Sequence, residues 1–249
     1  MMWKLRKLNW AGLHLELRNK HILIDAVEDF SAYHSIFGEA LHPLVHFSSE
    51  IKAAYMLYTH MHLDHFDPAV LDSFLSGKII ASKKHQKELS KYGGKVIYLE
   101  DEEVWVSEGI RFRPTFAMGG IGEQQVAWII EYEGKKIIHS GDTIWHNQFW
   151  RIGQTYGTFE FTFLPINGVL VNFERMGLQR TSIPASLTPE QAFNAAKILK
   201  AKYLVPIHYG TFSTDYYMPA DTSEAILKTL EKQTEQEFLI FKENANYEI

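Results

Sequence analysis

Hydrophobic and polar positions alternate early in the chain. Leu13, Leu15 and Leu17 are interleaved with His14 and Glu16, the period-two pattern of a half-buried strand. Asn19-Lys20 then turns into the run 21–25, completing a predicted hairpin. Residues 26–50 lose periodicity but carry Phe30, Tyr33, Phe37 and Phe47 among His34, His42 and His46. A loop of that length in a compact unit is more often a lid or pocket wall than idle. The apolar run 53–58 predicts a buried strand, and Asp67-Pro68 opens a helix with Asp as N-cap and Pro at the first turn.

Strands are predicted next at 78–81, 95–99 and 102–106, with a helix at 83–92. Further strands follow at 110–115, 126–133 and 135–139, the last two joined at Glu133-Gly134. The second half reads as a strand at 159–165, a helix opened by the capping box Thr188-Pro189-Glu190-Gln191 and running to 201, and a buried strand at 203–207. Asp221-Thr222-Ser223-Glu224 caps a last helix, and 238–241 reads as a closing strand. No repeat or low-complexity linker interrupts the pattern. Strands first, then strands alternating with helices, predict sheets covered by helices in a single α/β domain over residues 1–249.

Composition narrows the function. With 249 residues and 46% hydrophobic positions, the chain has enough material for a sizeable core. Twenty-five Lys and Arg against 30 Asp and Glu give a formal charge of −5, which argues against a protein that grips nucleic acid or anionic membrane by bulk electrostatics. The absence of cysteine excludes disulfides, thiolate metal sites and a Cys nucleophile. The N-terminus has no apolar signal core and no run approaches the ~20 apolar residues of a membrane span, so a soluble cytoplasmic protein is expected.

The 12 histidines matter by position. His60-Met61-His62-Leu63-Asp64-His65 packs four metal-ligand side chains into six residues at the end of a predicted strand. Period two turns His60 and His62 to one side, while Asp64 and His65 follow after the strand has turned, so the segment can feed two adjacent ions. Asp142 in Ser140-Gly141-Asp142-Thr143 and His208 in Ile207-His208-Tyr209 also stand at predicted strand ends. Imidazole with carboxylate suits Zn²⁺, Mn²⁺ or Fe.

Thr59-His60-Met61-His62-Leu63-Asp64-His65 resembles the Thr-His-x-His-x-Asp-His signature of the metallo-β-lactamase superfamily. Asp25 is similar to the family's early structural Asp, Ser140–Thr143 to its bridging-aspartate motif, and Pro206-Ile207-His208-Tyr209-Gly210-Thr211-Phe212 to its last-His motif. The last form most resembles the branch of L-ascorbate-6-phosphate lactonase and N-acylphosphatidylethanolamine phospholipase D. The resemblance implies an αββα fold: a four-layer sandwich of two mixed sheets flanked by helices, with the metal site at one edge. It implies His60, His62 and bridging Asp142 around one ion, and Asp64, His65, Asp142 and His208 around the other. Asp64, Asp142 and His208 would carry the catalysis, and Thr59 and Thr143 would orient the ligands.

One family ligand is missing. Met118 falls where a third His is expected, and a thioether serves Zn²⁺ or Mn²⁺ poorly. His146 could face the cleft in its place, while His139 reads as a packed strand residue. The resulting expectation is one or two divalent ions, Zn²⁺ first and Mn²⁺ or Fe next. The activity implied is hydrolysis of a small ester, lactone or phosphodiester by metal-bound hydroxide, with a small-molecule substrate and neither nucleic acid nor membrane as partner. The alternatives are a metal-poor binding protein on the same scaffold and an iron-dependent redox enzyme; an RNA-processing nuclease fits the charge poorly. Trp145, Phe149, Trp150, Tyr209 and Phe212, with the loop aromatics Phe30, Tyr33 and Phe37, are candidate pocket residues. Arg151, Arg175 and Arg180 are a candidate anion clamp.

Overall fold

The structure is a computed structural model that describes residues 3–74, 76–172, 174, 177 and 179–248. Six strands come first: β1 (Lys4–Lys7), β2 (Leu13–Leu17), β3 (Lys20–Ile24), β4 (Ala53–Leu57), β5 (Lys78–Ser82) and β6 (Val96–Leu99). Then follow β7 (Trp105–Ser107), β8 (Ile110–Phe116), β9 (Val126–Tyr132), β10 (Lys135–His139) and β11 (Phe159–Pro165). The last four are β12 (Leu170–Val171), β13 (Ala201–Ile207), β14 (Tyr217–Met218) and β15 (Asn246–Glu248). The helices are α1 (His34–Phe37), α2 (Pro68–Ser73), α3 (Gln148–Tyr156), α4 (Pro189–Ile198) and α5 (Glu224–Thr234).

Two mixed sheets form. The first runs β15-β1-β2-β3-β4-β5-β6 and the second β13-β11-β10-β9-β8-β7, with β12 and β14 as a separate ribbon. Within them β3, β4, β5 and β6 are parallel neighbours, as are β10, β11 and β13. A central core joins the facing sheets, with Leu13, Ile24 and Leu57 from one meeting Trp128, Phe163 and Val205 from the other. The outer face of the second sheet packs on α3, α4 and α5 through Phe149, Ile152, Phe193, Ala196 and Leu227. The outer face of the first packs on α2 through Val70 and Leu71. The order helix, sheet, sheet, helix is the αββα sandwich expected from the sequence.

Local chemistry explains the helix starts. Asp67 accepts the Ala69 and Val70 N–H groups ahead of Pro68, and Thr188 with Gln191 forms the full capping box, each worth about 1 kcal/mol. Ser223 stands at the N-cap of α5 without a side-chain cap bond.

Four readings change. The predicted helix at 83–92 is a pair of 3₁₀ turns, because only His85 and Leu89 turn inward and that stripe is too thin to hold a helix down. The predicted closing strand at 238–241 makes a single bridge, Phe238 to Leu204, and β15 is instead the strand that pairs β1. The strand predicted at 102–106 is displaced to Trp105–Ser107. Helix α3 was not expected; within it Gly153 lets α3 approach α4, where a Cβ would lie 2.1 Å from the Ile198 carbonyl oxygen. No helix among the described residues is long and apolar enough to cross a membrane.

Candidate metal centre

Asp25 follows β3, the His60–His65 segment follows β4, Asp142 follows β10 and His208 follows β13, all at carboxyl ends of parallel strands. Open α/β sheets place ligands at such ends. Because β4 stops at Leu57, the convergence of His60 and His62 is made by a turn rather than by strand alternation: His65 and Phe66 donate backbone N–H bonds to the His62 carbonyl (2.9 and 2.7 Å). Trp128 and Val126 of β9 bond the Tyr58 and Thr59 carbonyls (2.8 and 3.0 Å), pinning this segment across both sheets.

Asp25 organises the floor. Its carboxylate accepts the Thr59 N–H (2.8 Å) and Thr59 Oγ1–H (2.6 Å) and bonds His65 Nδ1 (2.8 Å). Burial works to raise its pKa, but the His65 bond and charge, His139 and Thr59 outweigh it and hold the carboxyl below its ordinary range. Since the single Thr59 proton goes to Asp25, the 3.0 Å contact with His60 Nδ1 is donated by the imidazole. Both His60 and His65 are thereby fixed with Nδ1–H turned to the protein and Nε2 turned into the site.

The Nε2 atoms of His60, His65 and His208, Asp142 Oδ1 and Glu123 Oε1 are all buried without a hydrogen-bond partner. Their ligand atoms form overlapping groups within 4.8 Å: His60, His62, Glu123 and Asp142; His60, Asp64 and His65; and His65, Asp142 and His208. Rings of His60 and His65 lie 4.2 Å apart, those of His65 and His208 5.1 Å. Such a concentration of unpaired lone pairs is costly unless a cation takes them up, so the donor set fits a divalent metal.

The electrostatics agree. Burial would lower His65, yet Asp64 and Asp25 push it up to about 9. Burial raises Asp142, and the nearby Glu123 and Asp64 carboxylates add to the rise. Burial takes His208 down to about 4 and His60 well below its ordinary value. Among the described residues no Lys or Arg pairs with Asp64, Glu123 or Asp142; the partners of Asp64 and Asp142 are His60, His65 and His208 at 3.5–3.8 Å.

Sequence reasoning missed two residues here. Trp10 donates its indole N–H to Asp64 Oδ2 (3.2 Å), packs tilted against His208 with ring centres 4.1 Å apart, and accepts the His208 backbone N–H at its carbonyl (3.2 Å). Trp10, Asp25 and His208 all hold left-handed backbone (φ 56°, 46° and 58°), strain of roughly 1 kcal/mol each or more that side-chain bonding holds in place. The other is Glu123, in the β8–β9 loop. Met118 is 43% exposed and is tied down by its backbone, through Thr143 Oγ1 (3.1 Å) and the Ile144 N–H (2.8 Å). His146 stays out of the ligand groups found among the described residues, packed between Phe116 and Phe149 with its pKa lowered to about 4 by burial. His139 packs in the strand as expected, bonding the Ala11 carbonyl (2.7 Å).

A pocket of about 200 Å³ opens onto the cluster. Its walls are Tyr33, Ile36, Phe37, Ile121, Val169, Val171, Ala185, Ser186 and Tyr217, with His62, Asp64, Glu123, Asp142 and His208 at the base. Of the candidate aromatics, Tyr33 and Phe37 line it; Phe30 and Phe212 stack behind them; Phe149, Trp145 and Tyr209 pack under the helices; and Trp150 is exposed. Among the described residues the anion clamp does not assemble. Arg151 pairs Glu102 (2.8 Å), Arg180 lines a separate groove beside β12, and Arg175 lies outside the described residues. Thr143 bonds the Met118 backbone rather than a ligand side chain.

The beta-lactamase superfamily domain profile matches residues 20–209, more than half of the chain. The chain belongs to the metallo-β-lactamase superfamily. It is 28% identical over 174 residues to a UPF0173 metal-dependent hydrolase of Thermus thermophilus, covering 66% of this chain and 68% of that one. Among solved structures it is similar to Igni18, a metallo hydrolase from Ignicoccus hospitalis (TM-score 0.77, 20% identity, 100% of this chain and 99% of that chain). It also shares the fold of CmlA, a diiron beta-hydroxylase from Streptomyces venezuelae (TM-score 0.71, 14% identity, 99% of this chain and 54% of that chain). One fold thus hosts more than one chemistry, and the site must decide.

Proposed function

We propose that this chain is a metal-dependent hydrolase of a small, uncharged ester or lactone, with Zn²⁺ the first candidate ion and Mn²⁺ or Fe next. The observation that carries the reading is the set of buried, unpartnered donor atoms on His60, His65, His208 and Asp142, opening onto a pocket with apolar walls. His60, His62, Asp64, His65, Asp142 and His208 would hold the metal. When bound, a divalent ion acts as Lewis acid and lowers the pKa of coordinated water towards ~7.

The protein's own groups do the rest. Trp10 holds Asp64 Oδ2, leaving Oδ1 to orient the attacking water and take its proton. Asp142, shared by two of the three ligand groups, links the His60–His62 side to the His65–His208 side. Tyr217 is kept a neutral phenol by burial, with Asp64 and Asp142 adding to the effect, and Asn167 donates to its oxygen (2.7 Å), so its proton is free to bond a substrate oxygen. The wall aliphatics and Phe37 exclude water around the reacting carbonyl. An ester or lactone is favoured over a phosphodiester because no Lys or Arg is among the described lining residues to pair a substrate phosphate.

The test is turnover of 4-nitrophenyl acetate and bis(4-nitrophenyl) phosphate by metal-loaded wild type and Asp142→Ala. Ester cleavage exceeding phosphodiester cleavage, falling about a hundredfold or more in the variant, is expected. An unchanged rate in the variant contradicts the reading. A coloured, iron-bearing protein without ester turnover would support the redox alternative.

A further inference from the structure

The resemblance implies a third imidazole at the first cation position, where this chain has Met118, a thioether that serves Zn²⁺ or Mn²⁺ poorly. Its N–H donates to Thr143 Oγ1 (3.1 Å), its carbonyl accepts the Ile144 N–H (2.8 Å), and it is 43% exposed. Five residues on, the chain returns to the cluster. We propose that Glu123 is the donor that completes the position bounded by His60, His62 and Asp142, so that this chain holds two divalent ions with a carboxylate where the resemblance implies an imidazole. The assignment rests on the metal-centre reading above.

The loop is shaped around this carboxylate. A Cβ on Gly119 would lie 1.9 Å from Glu123 Cδ and Oε1, and one on Gly120 would lie 2.0 Å from the Ala185 carbonyl oxygen. Two glycines therefore clear the space that Glu123 occupies and let the loop pass close to its neighbour. Within the loop, the Ile121 N–H donates to Oε2 (3.1 Å) and fixes the carboxylate plane. The other oxygen, Oε1, is buried without a partner, and a carboxylate oxygen of Glu123 lies within 4.8 Å of ligand atoms of His60, His62 and Asp142.

Charge and hardness follow. The three carboxylates Asp64, Glu123 and Asp142 offset three of the four charges brought by two divalent ions. Two imidazoles with two carboxylates form a harder donor set than three imidazoles with one, which shifts preference towards Mn²⁺ and Fe²⁺.

Ions per chain, measured by elemental mass spectrometry, test this in wild type, Glu123→Gln and Glu123→His, each stripped with chelator, reloaded with Zn²⁺ or Mn²⁺ and desalted. The expectation is about two ions of either metal in wild type and about one in Glu123→Gln, with Glu123→His regaining a second Zn²⁺ but not a second Mn²⁺. Wild type holding one ion, or Glu123→Gln holding two, overturns the role of Glu123 and leaves the metal centre standing. A wild-type chain that takes up no ion overturns the metal centre itself.

Discussion

The two halves of the candidate centre are built differently. Asp64, His65 and His208 are buried and braced: Asp25 bonds His65, Trp10 bonds Asp64 and covers His208, and strand ends from both sheets supply the backbone. His62, Glu123 and Asp142 are half-buried, and Glu123 stands on a loop shaped by two glycines. The deep half is fixed before any ion arrives, so its donors need little ordering. The loop-borne half must be ordered further, and that entropy weakens it. The contrast teaches that a shared ligand count conceals unequal affinity.

The largest effect should come from breaking the deep half at Asp25. Asp25→Ala leaves His65 Nδ1 and both Thr59 donors unpaired in the core, and unfolding of the metal-free protein in urea should show a loss of roughly 3–5 kcal/mol. A loss under about 1 kcal/mol would mean that the bracing is not structural.

A smaller effect should come from His146, outside both halves, which packs between Phe116 at the end of β8 and Phe149. Its folded pKa, about 4, lies below the unfolded value near 6.5, so the folded state stays neutral where the unfolded chain takes up a proton. No stability is lost above pH 6.5. Below it stability falls as pH drops towards 4, by up to about 1.4 kcal/mol per pH unit. Urea midpoints between pH 7 and 5 should therefore fall less steeply in His146→Gln; equal slopes would contradict this.

What the sequence made legible was local. The cluster at 60–65 declares itself by spacing, and the capping residues Asp67 and Thr188 are written within one helical turn of what they cap. The strand-end positions of Asp142 and His208 could be read because apolar runs stop beside them. Trp10 and Glu123 could not be read that way. Trp10 acts on Asp64 across 54 positions, and only the packing of the two sheets brings them together. Glu123 sits beyond a Gly-rich stretch that passes close to the distant Ala185 backbone, so nothing in its neighbours announces a ligand. Helix α3 was obscured because Gly153, a weak helix former, is here a contact with α4.

The most direct test of the centre is a crystal structure of protein loaded with Zn²⁺ or Mn²⁺, with anomalous diffraction collected at that metal's absorption edge. The account predicts a strong peak bounded by Asp64, His65, Asp142 and His208, and a weaker one bounded by His60, His62, Glu123 and Asp142. No peak among these residues, or a single peak that leaves out Asp64, His65 and His208, would contradict it.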